Sequence, residues 1–122
     1  MAEHSAVLLF AHGAREPEWA RPFEQVRDEL RSEGVRVELA YLEIMTPSLE
    51  DAARLLAAEG YRSVTIVPLF LAQGGHVKRQ LPEIVARLRE RHPKTEFRAT
   101  PALGDDPGIV AAIAAWVKRA AR

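Results

Sequence analysis

Residues 63–82, SVTIVPLFLAQGGHVKRQLP, decide how this chain is read. Val64 to Leu71 is an almost unbroken apolar run, the pattern of a strand covered on both faces. Gly74 and Gly75 interrupt it, His76 follows, and Lys78 and Arg79 stand where a helix should begin. Residues 6–17, AVLLFAHGAREP, repeat the design: an apolar run from Ala6 to Ala11, then His12, Gly13 and Arg15. A buried strand that ends in glycine and histidine presents an imidazole at the edge of a sheet.

Working outward, the hydrophobic period alternates between strand and helix. Pro17 opens a helical stretch in which Trp19, Phe23, Val26 and Leu30 recur at helical spacing, with Gly34 as its stop. Val35 to Leu42 alternates as a second strand. Thr46-Pro47-Ser48 punctuates the start of a helix through Leu49, Ala52, Leu55 and Leu56, ended by Gly60. After the third strand, a helix from about Val77 to Arg91 carries Leu81, Ile84, Val85 and Leu88. His92-Pro93 ends it, because the residue before proline disfavours the α region. Thr95 to Thr100 reads as a more polar edge strand, and a last helix carries Ile109, Val110, Ile113, Trp116 and Val117. Four strand–helix units predict an α/β fold: one domain over residues 1–122, a doubly wound four-stranded parallel sheet with right-handed crossovers and helices on both faces.

Composition removes several classes of function. Lys plus Arg and Asp plus Glu both number 17, so no global field recruits nucleic acid or a membrane, and basic effects must be local. The absence of cysteine excludes disulfides, thiolate zinc sites and cysteine nucleophiles. No apolar run approaches the ~20 residues that span a bilayer, and the N-terminal residues lack the basic start of a signal peptide. The expected location is the cytoplasm. There is no GxxxxGK[ST] or GxGxxG loop to cradle a nucleotide and no G-x-S-x-G elbow.

In an open parallel sheet, ligands bind beyond the carboxyl ends of the strands. The loops there carry His12 and Arg15, then Glu43, then Gly74, Gly75, His76, Lys78 and Arg79. Neutral imidazole suits divalent cobalt, nickel, iron or zinc and also moves protons near neutral pH. Glu43 can complete a His-His-carboxylate set, or it can be a solvated loop residue. The glycine pair can be a turn, a hinge, or a place where a flat ligand approaches the backbone. Lys78, Arg79 and Arg15 make the edge locally basic; cations near a helix N-terminus oppose its dipole, which favours a role toward an acidic guest. His4 and His92 read as surface residues without a role.

The chain resembles the small, single-domain sirohydrochlorin chelatases of the CbiX type. The likeness rests on His-Gly-x-Arg at 12–15, Leu-Glu-x-x-x-Pro-Ser-Leu at 42–49 and Pro-Leu-Phe-Leu-x-x-Gly-x-His at 68–76. It implies a chelatase-like fold, a homodimer, and His12 and His76 as metal ligands and proton acceptors with Glu43 assisting. The implied reaction inserts a divalent metal, Co2+ first and Fe2+ or Ni2+ as alternatives, into sirohydrochlorin without a nucleotide. Arg15, Lys78 and Arg79 would meet the carboxylates of the macrocycle, and Gly74 and Gly75 would admit it. Two positions depart from the family pattern: Ala14 stands where serine is common, and Gln80 where an acid often follows the histidine. A non-catalytic carrier of metal or tetrapyrrole would use the same residues. A histidine-phosphatase-type enzyme also places His-Gly after its first strand, but it needs arginine before that histidine, where this chain has Ala11.

Overall fold

The computed structural model describes residues 4–122. Strands β1 (Ser5–Ala11), β2 (Val37–Tyr41), β3 (Ser63–Pro68) and β4 (Glu96–Ala99) form one sheet in the order β2-β1-β3-β4. Every neighbouring pair is parallel, with Ala11 opposite Tyr41 and Phe10 opposite Pro68 at the carboxyl edge. The helices are α1 (Arg21–Ser32), α2 (Leu49–Ala58), α3 (Gly75–Arg91) and α4 (Pro107–Ala120). The expected strand–helix alternation is therefore present, and strand order reverses beside β1.

Alternation along β1 divides the core. Leu8 and Phe10 join Leu56 of α2, Leu88 of α3, Ile66 and Phe97 on one face. Leu9 and Ala11 join Val37, Leu39 and Tyr41 on the other, where Trp19, Phe23 and Leu30 close over them. Each Leu, Ile, Val or Phe among them that is fully removed from water contributes about 1.5–3 kcal/mol. The sheet is thus held from both sides, and its carboxyl edge can carry polar residues.

Three details differ from the sequence expectation. β3 ends at Pro68, not Leu71: β4 ends at Ala99 and Thr100 makes its last bond to Ile66, and beyond Pro68 the Leu69 N–H still reaches the Phe10 carbonyl, but the Phe70 carbonyl is met by the Gly104 N–H of a turn and not by a strand. α3 begins at Gly75, which places His76 in its first turn, and Pro82 interrupts it. Without an N–H at 82, the Lys78 carbonyl loses its helical partner, and the turns bearing His76 are less tightly tied to the rest of α3. α4 forms with its apolar stripe intact, but the stripe faces solvent: Trp116 is 61% exposed.

Ser48 starts α2 as expected, its hydroxyl accepting from the Asp51 N–H at 3.1 Å. Ser48→Ala should cost about 1 kcal/mol. Urea unfolding should show a lower midpoint with an unchanged slope; an unchanged midpoint would remove the cap from the stability of α2.

Candidate active site

The pairing of β1 with β2 continues past both strands. Leu42 N–H donates to the Ala11 carbonyl at 2.9 Å and Glu43 N–H to the His12 carbonyl at 3.1 Å. His12 and Glu43 are thereby brought side by side across the sheet edge, with Nε2 2.9 Å from Oε2. Both side chains stay about half exposed, at 51% and 56%. Gly13 permits this closeness. It has φ +100°, and a Cβ there would lie 1.9 Å from the Glu43 carbonyl oxygen. The Phe70 ring stands edge-on to the imidazole, centroids 6.4 Å apart.

Two donors 2.9 Å apart, each about 2.1 Å from an ion, subtend close to 90° at it, the angle between adjacent octahedral positions. Two protein ligands leave most of the coordination sphere to water or to an incoming ligand. Such a site can accept a cation and release it.

His76 lies elsewhere on the same edge. Its exposed ring borders a hollow of about 310 Å³ with Arg79, Gln80 and Glu83. Among the described residues no group of three His, Asp or Glu side chains is gathered closely enough to hold one metal ion. The expected trio of His12, Glu43 and His76 is thus a contiguous pair and a separate histidine. The separation follows from α3 starting early, which winds His76 into a helix instead of leaving it on the loop.

The cations divide between the two sides. Arg15 borders a hollow of about 420 Å³ with Ala14, Tyr41, Ile44 and Met45. Lys78 and Arg79 occupy the first turns of α3, where Gly74 supplies no side-chain cap. The Arg79 guanidinium folds back so that a Cβ on Gly75 would meet it at 3.3 Å. The Tyr41 phenol is raised above its usual pKa by burial and then by Glu24, with Arg27 opposing. It stays a neutral hydrogen-bonding group at ordinary pH.

Comparison with known proteins shows the family. Residues 6–120 match the family model described as CbiX. The chain belongs to the CbiX family. The sirohydrochlorin cobaltochelatase of Sulfolobus acidocaldarius is 32% identical over 104 residues, which cover 85% of this chain and 82% of that protein. A crystal structure of a CbiX protein from Marinobacter aquaeolei VT8 superposes with TM-score 0.83 at 30% identity, covering 94% of this chain and 93% of that one. The sirohydrochlorin chelatase SirB of Bacillus subtilis subspecies spizizenii, solved with cobalt, shares the fold. There the TM-score is 0.79 at 24% identity, and the match covers 94% of this chain and half of SirB.

Three features of the candidate site of this CbiX chain were not picked out from the sequence. Glu83 supplies a carboxylate to the His76 hollow, although position 80 has none; His76, Arg79, Gln80 and Glu83 follow helical spacing, which was the available signal. Ile44 adopts φ +70°, unusual for a β-branched residue, and is 62% exposed beside the dyad. Leu71 is 64% exposed after β3. With Phe70 these residues give the mouth apolar surface, which suits the face of a flat ring.

Proposed function

We propose that this chain inserts a divalent metal ion, cobalt before iron or nickel, into sirohydrochlorin, and that it needs no nucleotide to do so. The observation that carries this reading is the half-exposed His12–Glu43 pair, 2.9 Å apart at the carboxyl edge of a CbiX sheet. The relative from Sulfolobus acidocaldarius, aligned over most of its length, is a sirohydrochlorin cobaltochelatase. Arg15 on one side and Lys78 and Arg79 on the other face the acidic rim of the macrocycle, while Ile44, Phe70 and Leu71 meet its apolar face. Gly74 and Gly75 leave room for it to enter.

The reaction is an exchange without redox change. The ring gives up two N–H protons, the ion forms bonds to the four ring nitrogens, and its bonds to the protein break. His12 and Glu43 hold the ion in adjacent positions; as it passes to the ring, the imidazole so released takes one ring proton and hands it to water. His76, on the loosely tied start of α3, joins in during transfer: its imidazole is not held by the ion and takes the other ring proton. Charge balances without phosphate hydrolysis.

The setting follows the same reading. Residues 1–122 act as one chelatase unit, paired in a homodimer and working in the cytoplasm; the chain has no cysteine, and among the described residues no helix is long and apolar enough to cross a membrane.

Absorbance of sirohydrochlorin mixed with Co2+, Fe2+ or Ni2+ tests the proposal. Insertion should be fastest with Co2+ and indifferent to added ATP; no acceleration over the protein-free rate with any ion would overturn it. A second prediction concerns the rim. Neutralising Arg15, Lys78 and Arg79 together to Gln should raise KM for sirohydrochlorin about tenfold with little change in kcat, and should flatten its salt dependence. An unchanged KM would remove these cations from the substrate site.

A further inference from the structure

The loop between β2 and α2 is closed at its base and strained at its tip. The Tyr41 N–H donates to the Pro47 carbonyl at 2.9 Å, so the chain from Leu42 to Pro47 returns to the strand it left. At the tip the Met45 N–H donates to the Glu43 carbonyl at 2.7 Å, with Ile44 between them at φ +70°. A bond from residue i+2 back to residue i across a positive φ is the rare, strained form of γ-turn. Isoleucine suits it badly, because the branch at Cβ crowds the backbone, whereas glycine would occupy it without that cost. Among the described residues Ile44 is the single non-glycine at positive φ; Gly13, Gly34 and Gly60 take the other such positions.

Packing does not offset the strain. Ile44 is 62% exposed, while Leu42 and Met45 on either side of it pack onto opposite faces of the sheet. A strained residue that the core does not use points to a task at the surface. Its place defines what it can touch. The neighbouring Glu43 carboxylate is 2.9 Å from His12, and Ile44 itself borders the hollow that Arg15 and Met45 line. The side chain stands between the pair that can hold a metal ion and the cation that can hold a carboxylate.

A macrocycle held at its rim by Arg15, Lys78 and Arg79 is held by long, exposed side chains, which supply charge but little fixed geometry. Metal transfer is more demanding. The ion bonds only to donors about 2 Å away, and a misplacement of about 1 Å can cost ~100-fold in rate. Ile44 supplies the rigidity that the rim lacks. The Glu43 N–H is bonded to the His12 carbonyl at 3.1 Å and the Glu43 carbonyl lies close over Gly13, so the turn moves as one body with the metal pair. The branched side chain has a restricted χ1, and its methyl groups stay where the backbone puts them. We propose that Ile44 is a rigid stop for the face of the macrocycle, fixing the height and register of the ring over the ion between His12 and Glu43, and that the strained turn aims it. The proposal rests on the chelatase reading above and adds to it the residue that positions the ring.

Substitutions at this one position test it: Ile44→Gly, Ile44→Ala and Ile44→Val, each followed by thermal unfolding, by calorimetric titration with Co2+ alone, and by cobalt insertion into sirohydrochlorin. Ile44→Gly relieves the backbone and should melt about 2–5 °C above the wild type, yet its kcat should fall about tenfold or more. Ile44→Ala should lose kcat to a similar degree with no rise in KM and with unchanged Co2+ affinity, the pattern of a lost stop and not of lost binding. Ile44→Val keeps both the branch and the strain and should recover most of the turnover that Ile44→Ala loses. A raised KM at wild-type kcat would make Ile44 a plain apolar contact, and weakened Co2+ binding in Ile44→Ala would make it a support for Glu43; either result overturns the stop. A glycine variant that melts no higher than the wild type would overturn the strained turn that aims it. Wild-type turnover in all the variants overturns the stop alone, whereas a wild type that inserts no metal overturns the chelatase reading and the stop together.

Discussion

His12→Ala is expected to lower cobalt insertion by about 100-fold or more, the usual scale for removing a group with the two roles proposed for His12, binding the ion and moving protons. The melting temperature should barely move, because the ring is 51% exposed and its strand partners are backbone groups. Glu43→Gln keeps an oxygen in place but loses the charge, so a smaller fall of roughly 10–100-fold is expected, expressed mainly at low metal concentration. On the proposed mechanism, in which His76 joins only during transfer, His76→Ala should remove most of the activity through kcat. Rates against metal concentration for the three variants separate these roles. Wild-type turnover in His12→Ala would place the metal elsewhere.

Gly13→Ala should be the most damaging change to fold and activity together. The added methyl must displace the Glu43 carbonyl from a 1.9 Å approach, at a backbone angle of φ +100°. Positive φ at a non-glycine residue costs about 1–3 kcal/mol before any clash is counted, so a total loss of at least about 3 kcal/mol is expected. Thermal unfolding should fall by roughly 10 °C or more. Insertion should fall with it, because the clash separates the two backbones that align His12 with Glu43. A variant that melts normally and still turns over would mean that the β1 and β2 loops are not held together at Gly13.

Much of this was legible in the sequence because it depends on local pattern. The apolar runs that end at Ala11 and Leu42, the proline and serine before Leu49, and the glycines after α1 and α2 each state their own conformation. The parallel order of strands then follows from the strand–helix alternation, and with it the gathering of His12, Glu43 and His76 along one edge. What was not legible depends on relations between segments. The closeness of His12 and Glu43 comes from a ladder that continues two residues beyond the strands and from space at Gly13 that only the partner loop uses. His76 is set apart by the early start of α3, which the Gly74-Gly75 pair gave reason to expect as a turn. The stripe on α4 was plain, but a periodicity reports that a face seeks cover and not where the cover lies. The direction of α4 is set by the Gly104 turn against Leu71, a contact between residues 33 positions apart in the chain.

The most direct measurement of the chelatase activity follows cobalt insertion by absorbance with sirohydrochlorin in large excess over protein and no nucleotide present. Many metallated rings should form per chain, at a rate that scales with wild-type protein and collapses in His12→Ala. Product that stops at one ring per chain, or a rate that His12→Ala leaves unchanged, would contradict catalysis at the His12–Glu43 pair.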